Sequence, residues 1–518
     1  MRSLAADIIL TNAKLVTLNP ACPRAPAVAI RDGVILKVAG VETIKELEGA
    51  RTEVVDCHGQ TVLPGFNDAH CHLFAFAKGL LTPIMDQDNV YSISDIQYLI
   101  RNLANNLPKR TWIRIRGYSE FHLAEKRHPT RWDLDEATTN HPVKLTHRSG
   151  HAHVLNSLAL ALAGITKETT EPPGGMIERD LATGEPNGLL YGMAGYLAKV
   201  VPPLNDSELE KGIKLANQTL LSLGITSIHD ASPHNDVHSW HTFGQWKARG
   251  HFKPRIIMML GAEVFSQFQE QGFLPRTGNN QLRLGAVKIS LAETKGELNP
   301  PQVDLNQKVL DIHRSGYQVA MHAVEETSVE AACMALEYAL KRYTRPDHRH
   351  RVEHCSVCTK ATAKRLASLG AIVVTQPAFI YYSGDRYLKT VPKEQLKHLY
   401  PLMTSLKAGL GVAVGSDFPV VPPNPLSGLY GAIFRMTDSG QSLSREERIS
   451  PHQALEMYTL GAAYAGFEEA IKGSIAPAKL ADLVVLSGDP TAVTSRNMRA
   501  LEVSMTIVGG DIVWRHGL

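Results

Sequence analysis

The stretch TVLPGFNDAHCH, residues 61–72, is a short run of strand-forming residues that ends in two histidines separated by one residue. On an extended segment, side chains two positions apart point to the same side. His70 and His72 can therefore direct both imidazoles at one ion, while Cys71 points away. Imidazole nitrogen is a common ligand of zinc and similar divalent ions. The stretch predicts a strand that carries a metal site at its carboxyl end.

Four later stretches carry a further potential ligand on a predicted strand or directly after one: Lys288 in VKIS, His322 in AMHA, His354 in RVEH and Asp417 in GSDFPV. Helical and strand-like periods alternate through this part of the chain, which predicts a parallel sheet with helical crossovers. A (β/α)8 barrel is favoured over an open doubly wound sheet. Because barrel active sites lie at the carboxyl ends of the strands, all these residues are predicted to share one metal site.

The two ends of the chain have a different pattern from the middle. Residues 7–37 and 481–515 are short β-type runs with hairpin signals at Asp32-Gly33 and Gly509-Gly510. We predict one small composite β-sandwich domain from both ends; two separate β-extensions are the alternative. The predicted boundaries are 1–62 with 470–518 for the sandwich and 63–469 for the barrel.

More strand candidates are present than an eight-stranded barrel can hold. An insertion at about 80–205 is therefore expected to contain the surplus, and the candidates within that range are 112–118 and 142–148.

Composition excludes several classes of protein. The 518 residues carry a net charge of +3 and are 44% hydrophobic, which is typical of a folded globular chain. A charge so close to zero provides no long-range attraction to nucleic acid or to an anionic membrane. Six cysteines in a chain of this length do not form a disulfide framework. No run of 18 apolar residues is present, so a soluble, cytoplasmic protein is expected.

The motifs PGFNDAHCH, VKIS, AMHA, RVEH and GSDFPV, in this order, resemble the metal-dependent amidohydrolase superfamily. The resemblance is closest to the amidohydrolase family 3 branch that includes N-substituted formamide deformylases. Further similar stretches are GHAHVLNS (150–157), PPGGMIERD (172–180), GITSIHDA (224–231) and GSIAPAKLADLVVL (473–486). The resemblance implies a distorted (β/α)8 TIM barrel with a β-sandwich made from both ends.

The resemblance also implies a role for each site residue. His70 and His72 would hold the more buried ion, and His322 and His354 a second ion. Lys288 would be the bridging position, which is often carbamylated in such proteins. Asp417 would ligate the first ion and act as the catalytic proton shuttle. The cofactor would be zinc, as one or two divalent ions per chain.

Three residues are expected to contact the substrate. His151 would line the pocket by resemblance, and His229 is expected there as part of a strand near the barrel mouth. Glu325 marks a departure, because the chain reads His322-Ala-Val-Glu325-Glu326 where close relatives usually have His-Ala-Ile-Gly-Asp. The loop after Lys288 also lacks the usual Asp-Gly pair. The substrates known for the family therefore need not be substrates of this protein.

The predicted function is hydrolysis of a C–N (amide) bond in a small non-peptide substrate by metal-activated water. The protein is expected to be a homodimer with a small-molecule amide as its partner, and to bind neither nucleic acid nor membrane. One alternative is a heterocycle deaminase or a lactonase that uses the same site. Another is a non-catalytic binding protein on the same barrel, which the retention of every ligand disfavours.

Overall fold

The computed structural model describes residues 5–82, 85, 90–147, 152–172, 175–202, 205–294 and 297–517. The chain forms two compact units. The barrel unit consists of Met1–Phe76 and Ile213–Leu518, and the insert unit of Ala77–Gly212. The insert unit covers the stretch that the sequence marks as an insertion.

The strands, in chain order, are β1 Ile8–Thr11, β2 Lys14–Val16, β3 Arg24–Ala25, β4 Ala27–Arg31, β5 Val34–Ala39, β6 Glu53–Asp56, β7 Thr61–Pro64, β8 Phe66–Cys71, β9 Ile113–Tyr118, β10 Val143–His147, β11 Ala152–Leu155, β12 Met176–Arg179, β13 Pro186–Tyr191, β14 Ile225–Asp230, β15 Arg255–Gly261, β16 Leu282–Ser290, β17 Ala292–Thr294, β18 Glu297–Asn299, β19 Val319–Ala323, β20 Arg351–His354, β21 Ile372–Thr375, β22 Gly411–Val414, β23 Leu483–Leu486, β24 Val503–Val508 and β25 Asp511–Arg515.

The helices are α1 Val41–Lys45, α2 Leu73–Leu81, α3 Ile93–Asn105, α4 Arg131–Asp135, α5 Ser157–Leu162, α6 Ala194–Val200, α7 Asp206–Ser222, α8 Val237–Ala248, α9 Phe265–Glu270, α10 Gln302–Arg314, α11 Glu326–Arg342, α12 Lys360–Ser368, α13 Ala378–Thr390, α14 Lys393–Leu396, α15 Leu402–Lys407, α16 Pro425–Phe434, α17 Pro451–Glu456, α18 Ala462–Ala465 and α19 Ser495–Met498. None of the helices in the described ranges has both the length and the apolar character that crossing a membrane requires.

Eight strands form the central sheet of the barrel unit, in the order β22-β21-β20-β19-β16-β15-β14-β8, and neighbouring strands are parallel. Two backbone hydrogen bonds join the outer strands: the N–H of Asp417 donates to the carbonyl of His70 (2.8 Å), and that of His72 to Phe418 (2.9 Å). The predicted distorted (β/α)8 barrel is confirmed. Its seam lies at the residues predicted to bind metal.

The stretch 61–72 forms two strands rather than the single strand that the sequence predicts. β7 pairs with β2 and β23 outside the barrel, whereas β8 pairs with β14 inside it. The change occurs at Gly65, where an added Cβ would lie 2.3 Å from side-chain atoms of Thr226. Only glycine allows the backbone to pass this closely as it leaves one sheet and enters the other.

Strands from both ends of the chain share one core. One sheet has the order β5-β4-β1-β6, and a six-stranded sheet has the order β25-β24-β23-β7-β2-β3. Leu10 and Val28 from the amino-terminal end pack in one buried cluster with Leu483 and Ile507 from the carboxyl-terminal end. Because each end supplies part of the same apolar core, neither sheet would be buried without the other end of the chain.

The insert unit has its own sheet and core. Its strand order is β12-β13-β11-β10-β9, and Ile96 and Ile100 of α3 pack with Ile115 and Leu145 of the sheet. The two surplus strand candidates of the sequence, 112–118 and 142–148, form β9 and β10 of this sheet, which leaves eight strands for the barrel.

Three histidines form a buried hydrogen-bonded chain around the start of β20. Nδ1 of His350 accepts a hydrogen bond from the N–H of Val319 (2.9 Å), so its proton is on Nε2, which contacts Nδ1 of His313 at 2.8 Å. Nδ1 of His348 accepts from the N–H of His350 (3.0 Å). Burial lowers the pKa of His350 well below its ordinary value and lowers that of His348 to about 4. These imidazoles are neutral in the folded protein at neutral pH.

We expect the metal-free protein to lose stability as the pH falls below about 6.5, the ordinary imidazole pKa. Below that pH the unfolded chain binds protons that the folded chain excludes, so each such histidine lowers the unfolding free energy by up to about 1.4 kcal/mol per pH unit. Urea unfolding at a series of pH values measures the slope. His350→Gln should reduce the slope, whereas His58→Gln, at a side chain that is 81% exposed, should not. An unchanged slope in His350→Gln would contradict the prediction.

Candidate metal centre

The closest group of potential metal ligands consists of His70, His72 and Asp417. His70 is fully buried on β8, His72 directly follows that strand, and Asp417 lies across the barrel seam. Oδ1 of Asp417 is 3.0 Å from Nε2 of His72 and 3.6 Å from Nε2 of His70. One ligand atom from each residue lies within 4.8 Å of the others. The three side chains can therefore converge on one ion.

The remaining predicted ligands extend this group around the barrel mouth. The ring centroid of His354, at the end of β20, is 4.8 Å from that of His70 and 4.4 Å from that of His322 on β19. Lys288 on β16 is only 3% exposed and interacts electrostatically with Asp417. The structure thus gathers all six residues that the sequence nominated as ligands.

Each of three histidines is held through its Nδ1 atom. Nδ1 of His70 donates to the carboxylate of Glu353, Nδ1 of His354 lies 2.9 Å from Oε1 of Gln376, and Nδ1 of His72 lies 3.4 Å from the hydroxyl of Ser232. This arrangement leaves the Nε2 atom of each of these three rings available to a metal ion. Histidines that bind metal are usually held in this way, with the other ring nitrogen bound to a carboxylate, an amide or a hydroxyl.

Two buried polar atoms at the centre have no hydrogen-bond partner among the described residues, namely Nε2 of His70 and Nζ of Lys288. Burying a polar atom without a partner is costly, so such atoms indicate a missing ligand. The donors are imidazole nitrogen and carboxylate oxygen, which suit a divalent ion such as zinc. The residues present therefore fit the metal that the motifs imply.

Burial keeps these donors in the form that binds metal. It lowers the pKa of His70 and His354 well below the ordinary value and lowers that of His322 to about 4, so their lone pairs are free at neutral pH. Burial also lowers the pKa of Lys288 to about 8, while the carboxylates of Glu353 and Asp417 oppose the shift. About a tenth of the Lys288 amine is thus neutral near pH 7.

Asp68 and Asp230 are site residues that the sequence did not nominate. Oδ1 of Asp68 accepts from the N–H groups of His70 (3.2 Å) and Ser416 (3.0 Å), so it ties together the two strands that carry His70 and Asp417. Oδ2 of Asp230 accepts from the N–H of Leu73 (2.6 Å), directly after His72. The position of Asp68, two residues before His70 and on the same strand face, was the only available signal in the sequence.

The three predicted substrate contacts have different outcomes. His151 lies outside the described residues. Glu325 is exposed in the turn between His322 and α11, and its role stays a prediction. His229 is fully buried inside the barrel, where its ring packs near Gly466 and Nδ1 accepts from Arg351 at 2.9 Å. This enclosed position does not support a contact between His229 and substrate.

The sequence matches the profile described as the amidohydrolase family over residues 53–514. It is 28% identical to the protein YtcJ of Bacillus subtilis (strain 168), which carries an amidohydrolase name, over 95% of this chain and 96% of that protein. It is also 28% identical to the N-substituted formamide deformylase of Arthrobacter pascens, over 97% of each.

A solved structure, an uncharacterized metal-dependent hydrolase from Pyrococcus furiosus, is similar in fold. Its TM-score is 0.76 at 23% identity, and the match covers 93% of this chain and 99% of that one. The profile spans the barrel strands and the six ligand positions described above. The chain therefore belongs to the amidohydrolase family.

Proposed function

We propose that the protein hydrolyses the C–N bond of a small, largely neutral, non-peptide amide, with zinc as its ion. The observation that carries the proposal is the convergence of His70, His72 and Asp417, whose ligand atoms lie within 4.8 Å of one another at the carboxyl ends of barrel strands. Nitrogen and oxygen donors of this kind favour zinc. A net charge of +3 provides little steering for a highly charged polymer.

A divalent ion, when bound, supplies Lewis acidity that lowers the pKa of water and polarises a carbonyl oxygen. Asp417 is the group that moves the proton. Its carboxylate is largely shielded from solvent and is directed at His70 and His72, so it is near any water held there. We assign it to take a proton from the attacking water and return it to the leaving nitrogen. An amine leaves poorly unless it is protonated, so one carboxylate serves both transfers.

We further propose that His322, His354 and a carbamylated Lys288 hold a second ion. The neutral fraction of the buried Lys288 amine can react with carbon dioxide, because only the uncharged amine is nucleophilic. The carbamate would supply two oxygens and one negative charge in a cluster otherwise rich in neutral imidazoles.

We expect the protein prepared with zinc and bicarbonate to hold two ions per chain and Lys288→Met to hold one. Methionine removes the bridging oxygens but leaves His70, His72 and Asp417 intact. Elemental analysis of the desalted proteins measures the ratio, with Lys308→Met on the barrel surface as the control. Equal zinc content in the wild type and Lys288→Met would contradict the bridging role.

The function is tested by supplying the zinc-loaded protein with formamides, N-acyl amino acids and cyclic amides and by identifying the products. Release of an amine together with a carboxylate supports the proposal. Release of ammonia from a heterocycle would indicate a deaminase, and opening of a lactone to a hydroxy acid would indicate a lactonase. Turnover that persists after the metal is removed with a chelator would overturn the proposed chemistry.

A further inference from the structure

A buried ion pair lies directly beneath the metal centre. Arg351 and Glu353, both on β20, are 1% and 0% exposed at their side chains. Nε of Arg351 donates to Oε1 of Glu353 (2.7 Å), and Nη2 of Arg351 donates to Oε2 of Glu353 (3.0 Å). A paired geometry of this kind is what allows two charges to remain inside a barrel without water.

This pair reaches across the barrel to the strand that carries the metal-binding histidines. Oε2 of Glu353 accepts from Nδ1 of His70, while Nη2 of Arg351 also donates to the carbonyl of Ala69 (2.7 Å). Nη1 of Arg351 donates to Nδ1 of His229 on β14 (2.9 Å). The guanidinium thus donates to the Glu353 carboxylate, to the backbone carbonyl of Ala69 on β8 and to the imidazole of His229 on β14. A lysine ammonium could not present this planar set of donors.

We infer that Arg351 and Glu353 act as a positioning pair that sets the metal affinity of the centre. Glu353 fixes the proton of His70 on Nδ1 and so directs the Nε2 lone pair at the metal. Arg351 holds the Glu353 carboxylate against His70 and keeps it from approaching the metal. His229 serves as an acceptor for Arg351, which accounts for a histidine buried inside the barrel. The inference rests on the proposed metal site.

A control pair is available elsewhere in the same unit. Arg255 and Asp482 are 3% and 4% exposed and form an equally bidentate pair, with contacts of 2.6 and 2.9 Å. No contact joins this pair to a predicted metal ligand among the described residues. If the Arg351–Glu353 pair were merely structural, neutralising either pair should affect the protein in the same way.

The experiment compares Arg351→Met/Glu353→Gln with Arg255→Met/Asp482→Asn. Each double variant removes both charges, so no unpaired charge is left buried. We measure the zinc dissociation constant by chelator competition and the thermal midpoint of the metal-free protein. The first variant should bind zinc about 10–100-fold more weakly, which is the usual effect of losing a group that holds a ligand histidine. The control should keep the wild-type affinity, whatever its thermal midpoint.

Further single variants keep the test valid if the double variant does not fold, and they show how far zinc affinity depends on each contact. Arg351→Lys keeps the buried charge and should weaken zinc binding severalfold, because the bond to Ala69 or to His229 is lost. Glu353→Gln alone, which retains an oxygen for His70, should weaken binding less than Glu353→Ala. Wild-type affinity in a folded Arg351 or Glu353 variant overturns the positioning role. Absence of zinc binding by the wild-type protein would instead overturn the proposed function.

Discussion

A protein in which alanine replaces His70 is expected to lose bound zinc and hydrolytic activity together. His70 is fully buried, and its Nε2 atom has no hydrogen-bond partner within the described part of the chain, so the substitution removes a nitrogen that is available to the ion. Without the ion, water at the site returns to its ordinary pKa of about 15.7. We expect kcat/KM to fall by at least about 10³-fold, equivalent to about 4 kcal/mol of transition-state stabilisation.

The measurement is zinc content by elemental analysis together with kcat/KM on the best amide found. His72→Ala should behave in the same way, because its Nε2 atom lies 3.0 Å from the same carboxylate oxygen. His58→Ala serves as the control, since that side chain is 81% exposed in the sandwich region. Full zinc occupancy in the His70→Ala/His72→Ala double variant would show that the ion is bound elsewhere.

Asp417→Asn is expected to lower kcat by about 10²–10⁴-fold, the usual effect of losing a general acid–base group, while much of the metal is retained. Asparagine keeps the shape and one ligating oxygen but cannot take up a proton. The backbone of Asp417 has φ 61°, in the left-handed region. Asparagine tolerates that conformation nearly as well as aspartate, so the fold should be unaffected.

Asp417→Asn is compared with Asp32→Asn, which also changes an aspartate of positive φ but at an exposed hairpin position. Zinc content and the pH dependence of kcat are recorded for both. The pH dependence of kcat is expected to change in Asp417→Asn, because asparagine cannot take up a proton. Normal zinc content with near-normal kcat would show that another group, such as Glu325, moves the proton.

The candidate ligand residues could be nominated from the sequence because residue type and strand-end position are local features. His70 and His72 share a face through their spacing of two, and His322, His354 and Asp417 each lie at the end of a recognisable strand. Parallel barrel strands bring their carboxyl ends to one mouth, so local position was enough to predict proximity. The centroid distances of 4.4 and 4.8 Å between neighbouring rings follow from this rule.

The substrate contact expected of His229 stays a prediction, and the position of this residue shows what strand-end reasoning leaves undecided. His229 and His322 both precede the end of a strand, and their sequence contexts are alike. Strand register distinguishes the two positions: His229 pairs with Ile257 of β15, whereas Lys288 of β16 pairs with Gly261, four residues further along β15. His229 is fully buried, and its Nδ1 atom accepts a hydrogen bond from Arg351, more than a hundred residues later in the chain.

The sequence by itself determined the class of fold, and it nominated the metal-ligand candidates and a domain built from both chain ends, because periodicity and strand-end position are local properties. Only the tertiary structure decided how that set is held. Asp68 bonds to Ser416 across the seam, and Glu353 and Arg351 reach His70 and Ala69 across the barrel, over separations of 348, 283 and 282 residues. Such contacts depend on strand register, which brings residues from distant parts of the chain next to each other. They also depend on burial, because a hydrogen bond between two groups is strong only where the closed barrel excludes water from both.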